Sequence, residues 1–336
     1  MTNHLLCCDW GTSAFRLRLM TLDTTRCVGE ISARSGVAGT FADWKATGEP
    51  NGISREQFFR QQINTHIHRL GSLLGQRLAG VPVVISGMAS SSIGMADVPY
   101  ATLPFAIDGS QCSVRHYDRQ ADFPHDMSLI AGVRSHRDVM RGEETQLIGL
   151  LALLNPTDRQ ARPSMFIFPG THSKHIAVLN EQLVKFDTYM TGELFDLMAH
   201  QSILADSVDV RGLAKLSASD ETVFRRGVRE SVGSPLLSSL FTVRTNQLFD
   251  KLTKRQNALY LSGLLIGSEL GNLSHEPDWQ LVLCSGSNLA FFYELAIHEL
   301  HLSDRSIIVP PDLTDQAASV GQVRLYQSQQ LKPTTK

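Results

Sequence analysis

Near its N-terminal end the chain carries the stretch LLCCDWGTSAFRLRL, residues 5–19. Its apolar start and its alternating end are typical of two strands, and the short polar segment between them is typical of a tight turn. Gly11 allows a close approach to a ligand, while Thr12 and Ser13 add hydroxyl and amide donors beside the Asp9 carboxylate. The combination predicts a phosphate-binding turn with an acid that faces a metal ion. Turn geometry alone is the alternative explanation for Asp and Gly here.

A second stretch of the same kind is MFIFPGTHSKHIAVL, residues 165–179. It again places a Gly-Thr pair between an apolar run and a strand-like segment, so Gly170, Thr171 and His172 are candidates for phosphate contact. No Gly-x-x-x-x-Gly-Lys-Ser/Thr segment occurs in the sequence, which excludes a Walker-type nucleotide site. The similarity of the two stretches indicates an internal duplication.

Between the two turns lies MRGEETQLIGLLALL, residues 140–154, in which an acidic pair precedes an apolar helical segment. Carboxylates at a helix N-terminus are favoured by the helix dipole, so Glu143 and Glu144 are explained equally well by capping and by chemistry. The residues alone leave that choice open.

Four strings carry a specific resemblance, in the order MRGEETQLIG, PGTHSKH, MTGELF and LSGLLIGSEL. Together with the two turns they resemble the 2-dehydro-3-deoxygalactonokinase family, within the superfamily of actin, sugar kinases and chaperone ATPases. The resemblance runs from residue 6 to about residue 323. Two departures are an insertion at residues 41–57, whose role is open, and the triplet Thr12-Ser13-Ala14 in place of a more usual Ser-Thr-Asn.

The resemblance implies an α/β fold of two actin-like (ribonuclease H-like) domains, with mixed central sheets around a cleft. The first domain is expected at residues 1–138 and the second at 139–315, with a last helix near residues 314–326 returning to the first. The implied reaction is ATP-dependent phosphorylation of 2-dehydro-3-deoxy-D-galactonate at its 6-hydroxyl group, with Mg²⁺ as the metal ion. Phosphoryl transfer of this kind depends on positioning, charge neutralisation and a proton acceptor.

The resemblance also assigns roles to individual residues. Asp9 is expected to hold Mg²⁺, and Glu144 is favoured over Glu143 as the base that accepts the hydroxyl proton. The remaining assignments are phosphate binding by Gly11, Thr12, Ser13, Gly170, Thr171 and His172; substrate binding by Ser86, Gly87, Met88 and Arg141; adenosine-side contact by Gly286 and Ser287; and charge neutralisation by Arg16 or Lys174. For Arg16 and Lys174, a solvated strand position is the open alternative.

Several candidate sites have independent support from the local pattern. The buried-strand segment 81–85 runs into the small polar loop 86–92, at an end of a strand that faces ligands in α/β folds. The segment 280–284 runs through Gly286 into a helix, a geometry that turns helix N-terminal amides toward a ligand. A plain connecting loop remains the alternative for both.

Further elements are predicted from periodicity. Residues 55–77 are expected to form a helix that packs on the sheet, and the glycines between Gly36 and Gly52 predict a loop. The segment 258–267 predicts a helix with small residues on one face, where close packing is the favoured explanation.

Composition limits the function classes. The 336 residues are 42% hydrophobic with a formal net charge of −2, so nucleic acid and anionic membrane are not expected partners. No segment is long and apolar enough to span a bilayer, and the expected location is the cytoplasm. The five cysteines lack a C-x-x-C pair, and neither His298–His301 nor the pair His172 and His175 completes a zinc site.

The sequence leaves three questions open. A non-catalytic, actin-like nucleotide sensor or regulator would keep the phosphate turns without a base, although the acidic pair favours the enzyme. A kinase for a related 2-keto-3-deoxy sugar acid would differ in the configuration of one hydroxyl group. A homodimer is also left open.

Overall fold

The chain folds into two compact units. The computed structural model describes residues 3–154, 162–213, 215–276 and 278–330. Within these, the first unit holds residues 3–154, Glu181–Lys185 and 313–330, and the second holds the described residues of 162–180 and 186–312. The helix that begins at Glu143 thus belongs to the first unit, whereas the sequence division between residues 138 and 139 assigns it to the second.

The first unit begins with a three-stranded hairpin meander and alternates helices and strands thereafter. Its elements up to the second turn are β1 (His4–Trp10), β2 (Phe15–Thr21), β3 (Cys27–Ala33), α1 (Val37–Asp43), α2 (Arg55–Leu74), β4 (Val83–Gly87), β5 (Ala101–Thr102), β6 (Phe105–Ala106), β7 (Val114–Tyr117), β8 (Met127–Ile130), β9 (Val133–Arg134), β10 (Val139–Met140) and α3 (Glu143–Leu153).

The second unit repeats this plan with longer helices. Its elements are β11 (Ser164–Phe168), β12 (Ser173–Leu179), β13 (Gln182–Tyr189), α4 (Thr191–Gln201), α5 (Ala218–Gly233), α6 (Leu236–Leu248), α7 (Lys254–Gly271), β14 (Gln280–Leu283), α8 (Ser287–Glu299) and β15 (Ser306–Ile308). The last helix, α9 (Pro311–Gln330), contributes its residues from 313 onward to the first unit.

The two main sheets share one strand order. In the first unit the order is β3-β2-β1-β4-β8-β7. Strand β2 is antiparallel to β1 and β3, β4 is parallel to β1 and β8, and the edge strand β7 is antiparallel to β8. In the second unit β13-β12-β11-β14-β15 follows the same pattern, with β11 antiparallel to β12 and parallel to β14. The first residues of β13 belong to the first unit, where Leu183 pairs with Phe105. The mixed sheets and the duplication expected from the two turns are confirmed.

The segment 36–52 is helical, and the predicted loop is wrong. Helix α1 begins at Val37, a π-helical turn covers Trp44–Gly48, and a 3₁₀ turn covers Glu49–Asn51. The Val37 side chain is fully buried in the core of the first unit, and the Trp44 indole donates to the Ile53 carbonyl at 2.9 Å. Tertiary burial of these apolar side chains outweighs the low helix propensity of the glycines.

Helix α2 packs on the first sheet, as predicted. Phe59, Ile63 and Leu70 are completely buried in the same core as the strand residues. The helix begins after Ser54, whose side chain accepts from the Gln57 amide, and ends at Leu74, three residues before the predicted end at residue 77, because Gly75 adopts the left-handed conformation that terminates helices.

Glycines set the closest helix contacts in both units. In the second unit, a Cβ at position 263 of α7 would lie 2.2 Å from the Phe224 carbonyl oxygen of α5, which confirms close packing as the reason for the small residues. In the first unit, a Cβ at position 149 of α3 would lie 1.8 Å from the Ala317 carbonyl oxygen of α9. This contact explains why α3 belongs to the first unit, and it fixes the helix whose first residues enter the candidate site.

Across the described ranges, no helix is both long and apolar enough to cross a membrane.

Candidate functional site

Three backbone elements of the first unit meet at one edge of its sheet. Parallel pairing of β1 and β4 places Asp9 beside Ser86 and Trp10 beside Gly87. A Cβ at position 87 would lie 3.4 Å from the Asp9 carboxylate, and a Cβ at position 142 would lie 3.4 Å from the Gly87 Cα atom. Asp9, Gly87 and the start of α3 therefore lie in direct contact, although 55 or more residues separate each from the next in sequence (142 − 87).

The Asp9 carboxylate lacks a protein partner. Among the described residues it accepts no hydrogen bond, although the residue is partly buried. Burial raises the pKa of the Asp9 carboxyl, and the guanidinium groups of Arg16 and Arg18 oppose that rise. A partly buried carboxylate without a donor is suited to a cation, because Mg²⁺ prefers oxygen ligands and keeps several of its waters.

The first turn is tight and open to solvent. The Gly11 amide donates to the Ala14 carbonyl at 2.9 Å, and Thr12 and Ser13 are exposed. The start of α1 backs the turn, because the Val37 amide donates to the Gly11 carbonyl at 2.9 Å. The turn therefore presents its donors from a fixed backbone.

The α3 N-terminus is closed by its own acidic side chain. Glu144 is only 1% exposed, and its carboxylate accepts from the Gly142 amide at 2.8 Å and the Thr145 hydroxyl at 3.0 Å. Burial, followed by the neighbouring Glu143 carboxylate, raises the pKa of Glu144 to about 7, against the lowering effect of these hydrogen bonds. Gly142 makes this geometry possible with a φ of 113°.

Glu143 lies in a different environment. It is only partly buried, and its Oε2 atom accepts from the Arg141 amide at 3.1 Å. The two adjacent acids thus diverge: one carboxylate is enclosed at the helix end, and the other is accessible to solvent.

Arg141 holds the loop that follows β4. Its guanidinium group donates to the Ser90 hydroxyl at 2.8 Å, to the Tyr100 hydroxyl at 2.9 Å and to Asp97 at 3.3 Å. It also lies over the Tyr100 ring at 3.9 Å from the centroid. The structure therefore joins the predicted substrate residue Arg141 to the predicted substrate loop.

Within that loop the predicted residues differ in accessibility. Ser86 is fully buried, and its hydroxyl receives a hydrogen bond from Gln322 of α9 at 2.8 Å. Gly87 is also buried and lies against Asp9, whereas Met88 is partly buried.

Arg16 forms part of an ionic cluster at the start of α9. Its guanidinium group pairs with Asp315 at 2.5 Å, and the buried Arg18 pairs with Glu30 at 2.6 Å and also with Asp315. The predicted role in charge neutralisation stays a prediction, and the structure adds a second role in fastening α9 to the hairpin.

The start of α4 packs against the second turn, as the start of α1 packs against the first. Gly170 precedes the exposed residues Thr171 and His172. The Glu193 amide of α4 donates to the Thr171 carbonyl at 3.0 Å, and the His172 imidazole is hydrogen-bonded to the Glu193 carboxylate. A Cβ at position 192 would lie 2.5 Å from the Gly170 carbonyl oxygen, so Gly192 permits the contact.

Lys174 lies inside the second sheet. It is 5% exposed, and its ammonium group donates to the Thr188 hydroxyl at 2.6 Å. The alternative of a solvated strand position is wrong for this residue, and its role toward a phosphate stays a prediction.

A pocket of about 360 Å³ opens beside the second turn, within the second unit. Its walls are mainly apolar and come from α4, α7 and α8, from the segment between α4 and α5, and from Gly170 of the turn. They include Gly192, Phe195, Val210, Leu213, Leu259, Ser262, Leu265, Ile266, Asn288, Leu289, Phe292 and Tyr293. A mostly apolar concavity with a few polar groups is typical of a small-molecule site.

The predicted adenosine-side residues lie next to this pocket in sequence. Gly286 is the N-cap of α8 and Ser287 is its first residue, and both are exposed. The following residue, Asn288, lines the pocket. Sequence reasoning missed Asn288 and most of the apolar walls, because the walls come from three helices whose shared face no local pattern reveals.

Comparison with known proteins shows the family. A model of the family described as 2-keto-3-deoxy-galactonokinase matches residues 9–324. A probable 2-dehydro-3-deoxygalactonokinase of Rhizobium meliloti strain 1021 is 31% identical over 310 residues, which cover 89% of this chain and 90% of that protein. A 2-dehydro-3-deoxygalactonokinase of Escherichia coli K12 is 33% identical over 228 residues, covering 65% of this chain and 71% of that protein.

Solved structures agree on the fold. A putative 2-dehydro-3-deoxygalactonokinase from Sinorhizobium meliloti superposes with a TM-score of 0.77 at 26% identity, covering 99% of this chain and 98% of that one. Component A of the (R)-2-hydroxyglutaryl-CoA dehydratase of Acidaminococcus fermentans superposes with a TM-score of 0.50 at 13% identity, covering 98% of this chain and 100% of that one. The second likeness concerns the fold alone.

Proposed function

The chain belongs to the 2-keto-3-deoxy-galactonokinase family, and we propose that it transfers the γ-phosphoryl group of ATP to the 6-hydroxyl group of 2-dehydro-3-deoxy-D-galactonate. The observation that carries this proposal is the contact of Asp9, Gly87 and the start of α3 at one edge of the first sheet. That edge offers a carboxylate for a cation, a turn for phosphate oxygens and a pair of acids for a hydroxyl proton. Those are the functions that phosphoryl transfer requires.

Asp9 is the residue proposed to hold Mg²⁺. The metal ion, when bound, neutralises negative charge on the phosphate oxygens. The partly buried Asp9 carboxylate, which accepts no hydrogen bond from the described residues, fits this role because Mg²⁺ prefers oxygen ligands. Across the described ranges no group of three or more acidic, histidine or cysteine side chains forms a metal cage. Asp9 would therefore share the ion with waters and phosphate oxygens. The exposed Thr12 and Ser13 are proposed to donate to the phosphates from the turn.

Glu144 is the proposed general base. A base is most effective when its pKa lies near the working pH, and burial together with Glu143 brings the pKa of Glu144 to about 7. Its Oε2 atom accepts a hydrogen bond from the Gly142 amide and keeps a lone pair for a hydroxyl proton. The accessible Glu143 is the competing candidate, and the deep burial of Glu144 is the argument in its favour.

The substrate side is proposed to use the loop after β4. Gly87 and Met88 border the Asp9 edge, while Ser86 and Arg141 are already hydrogen-bonded within the protein and would hold the loop in place. The sugar acid would thus meet a loop that is fixed before binding, which reduces the entropic cost of orienting it.

The nucleoside of ATP is proposed to bind in the pocket of the second unit. Its volume of about 360 Å³ and its apolar walls suit a purine ring, and Asn288 and Ser262 supply polar groups. The exposed Thr171 and His172 lie on the turn that contributes Gly170 to the pocket wall, which supports the proposal that they contact the phosphates. A cytoplasmic location remains a prediction from the sequence.

The decisive experiment is an ADP-release assay over a panel of 2-keto-3-deoxy sugar acids, with MgATP in excess. We expect ADP release that depends on the sugar acid, the highest kcat/KM for the galactonate derivative over its gluconate epimer, and phosphate on C6 of the product by ³¹P and ¹³C NMR. ADP release that no sugar acid stimulates would overturn the kinase and favour a nucleotide sensor. Preference for the gluconate epimer would overturn only the substrate assignment.

A further inference from the structure

Glu269 of α7 is a buried acid that the proposed mechanism leaves unused. It is 2% exposed, and its carboxylate receives three hydrogen bonds. His175 of β12 lies 3.0 Å from Oε1, Tyr293 of α8 donates to Oε2 at 2.8 Å, and the Thr191 hydroxyl of α4 also donates to Oε2. Burying a carboxylate is costly unless donors surround it. Here the donors come from three separate elements, so the acid ties those elements to α7.

One series of hydrogen bonds connects Glu269 to the second turn, and the donor of each bond can be identified. Tyr293 donates its single hydroxyl proton to Glu269. The Ser173 hydroxyl, 3.1 Å from the Tyr293 oxygen, must then donate to Tyr293. Ser173 keeps a lone pair, which accepts from the Gly170 amide at 3.4 Å. Each group therefore donates to the next, from the Gly170 amide to Ser173, from Ser173 to Tyr293, and from Tyr293 to Glu269.

A further hydrogen bond of Glu269 holds α4, the helix whose start packs against the turn. Thr191 is the first residue of α4, and the next residue, Gly192, lies against the Gly170 carbonyl. The Thr191 hydroxyl bond to Glu269 thus fixes the start of α4 at the point where that helix touches the turn. Glu269 is connected to the Gly170 turn from both sides.

The same residues also form a wall of the pocket. Gly170, Thr191, Gly192 and Tyr293 all line it. Any shift of Tyr293 or Thr191 would therefore change both the pocket and the position of the turn relative to it. Chains of hydrogen bonds in a buried site are mutually reinforcing, so this coupling is stiff.

We propose that Glu269 is a positioning residue that sets the Gly170 turn at the correct place beside the pocket, so that a bound nucleoside finds the phosphate donors already placed. The inference rests on the proposed use of this pocket for ATP. It implies that the hydrogen bonds through Ser173 govern how tightly the phosphates are held, and that the nucleoside alone binds without them.

The test uses Ser173→Ala and Tyr293→Phe, each of which deletes one hydroxyl from that series of hydrogen bonds. The matched control is Tyr260→Phe, since Tyr260 is another fully buried tyrosine of the second unit and donates its hydroxyl to the Glu230 carboxylate, outside the pocket wall. Binding of ATP (with Mg²⁺) and of adenosine is measured by calorimetry for the full-length protein and each variant.

We expect Ser173→Ala and Tyr293→Phe each to weaken ATP binding about tenfold, the size of one lost hydrogen bond. Ser173 is not among the residues that line the pocket, so Ser173→Ala should leave adenosine binding within about twofold. The double variant should bind ATP about as well as the single variant with the larger loss of affinity, because both deletions interrupt the same series of hydrogen bonds. Glu269→Gln should weaken ATP binding further; the two hydroxyl deletions keep the test valid if that variant does not fold.

Two results would overturn the inference alone: ATP affinities of both variants equal to that of Tyr260→Phe, or a parallel loss of ATP and adenosine binding in Ser173→Ala, which would indicate general damage to the pocket. Failure of the unsubstituted protein to bind either ATP or adenosine would instead overturn the proposed use of the pocket, and with it the proposed function.

Discussion

The two Gly-Thr turns share their support and differ in their chemistry. Each turn joins the first two strands of a sheet with the same strand order, and each is backed by the start of the helix that follows the third strand. A glycine, Gly36 or Gly192, allows that contact in both units. The first turn follows Asp9, whose carboxylate has no donor among the described residues, whereas the second follows Phe168 and adjoins a buried acid with three donors. The two turns thus adjoin carboxylates in different environments, one without a hydrogen-bond donor among the described residues and one with three.

The largest expected effect separates the two acids of α3. Glu144→Gln keeps the side-chain size and removes the proposed base, so kcat should fall by about 10²–10⁴. ATP affinity should hardly change, because the nucleotide pocket lies in the second unit. The measurement is steady-state kinetics together with calorimetric ATP binding. The companion Glu143→Gln should keep most of the turnover; the reverse pattern would exchange the two roles, and full activity of both would refute the mechanism.

The next effect contrasts an unpartnered acid with a partnered one. Asp9→Asn removes the charge proposed to hold Mg²⁺ and should lower kcat by about 10²–10³, the loss typical for one electrostatic group at a reacting centre. Its counterpart, Glu193→Gln, changes the carboxylate that is bonded to His172 beside the second turn and should cost only a few-fold. Both variants are assayed over a titration of Mg²⁺. Activity of Asp9→Asn within a few-fold of the parent at saturating Mg²⁺ would show that the first turn is assigned wrongly.

A smaller effect, on the free energy of unfolding, tests whether α1 and α4 support the two turns. A Cβ at position 36 would lie 2.2 Å from the Thr12 carbonyl oxygen, and one at 192 would lie 2.5 Å from the Gly170 carbonyl oxygen. Gly36→Ala and Gly192→Ala should each lower the free energy of unfolding by about 1–3 kcal/mol, through overpacking against backbone. Gly39→Ala is the control: its Cβ would meet no atom within 4 Å in α1, so it should be neutral or stabilising. Urea unfolding measures all three, and equal stability would mean that the helices do not brace the turns.

The smallest expected effect is the pH dependence of kcat/KM, which we attribute to Glu144 of the first unit. Glu144 must be ionised to accept a proton, and its pKa is raised to about 7, so kcat/KM for the sugar acid should rise about tenfold between pH 6 and pH 8. Removing the neighbouring charge in Glu143→Gln should move the midpoint to lower pH, because that carboxylate contributes to the raised pKa. A midpoint that Glu143→Gln leaves in place would disconnect the pH profile from Glu144.

Local sequence was sufficient where an element is decided by its own residues. Alternating and apolar runs around Gly11 and Gly170 defined both hairpins, and the periodic apolar positions of residues 55–74 defined α2. The same reasoning failed for residues 36–52, where the glycines predicted a loop. Val37 becomes buried through contacts with distant strands, and the local composition does not reveal those contacts. Resemblance to the family supplied Glu143 and Glu144 as candidates, but their different burial appeared only in three dimensions.

By itself the sequence determined the family, the two turns and the acids to consider, because these depend on residue types at short spacing. Only the tertiary structure decided which groups meet: parallel pairing of β1 and β4 brings Gly87 to Asp9, and the contact of α3 with α9 at Gly149 fixes the start of α3. Likewise His175, considered from sequence as a metal ligand, is hydrogen-bonded to Glu269, 94 residues away. The physical reason is that burial and hydrogen bonding are properties of long-range packing, and local propensity does not encode them.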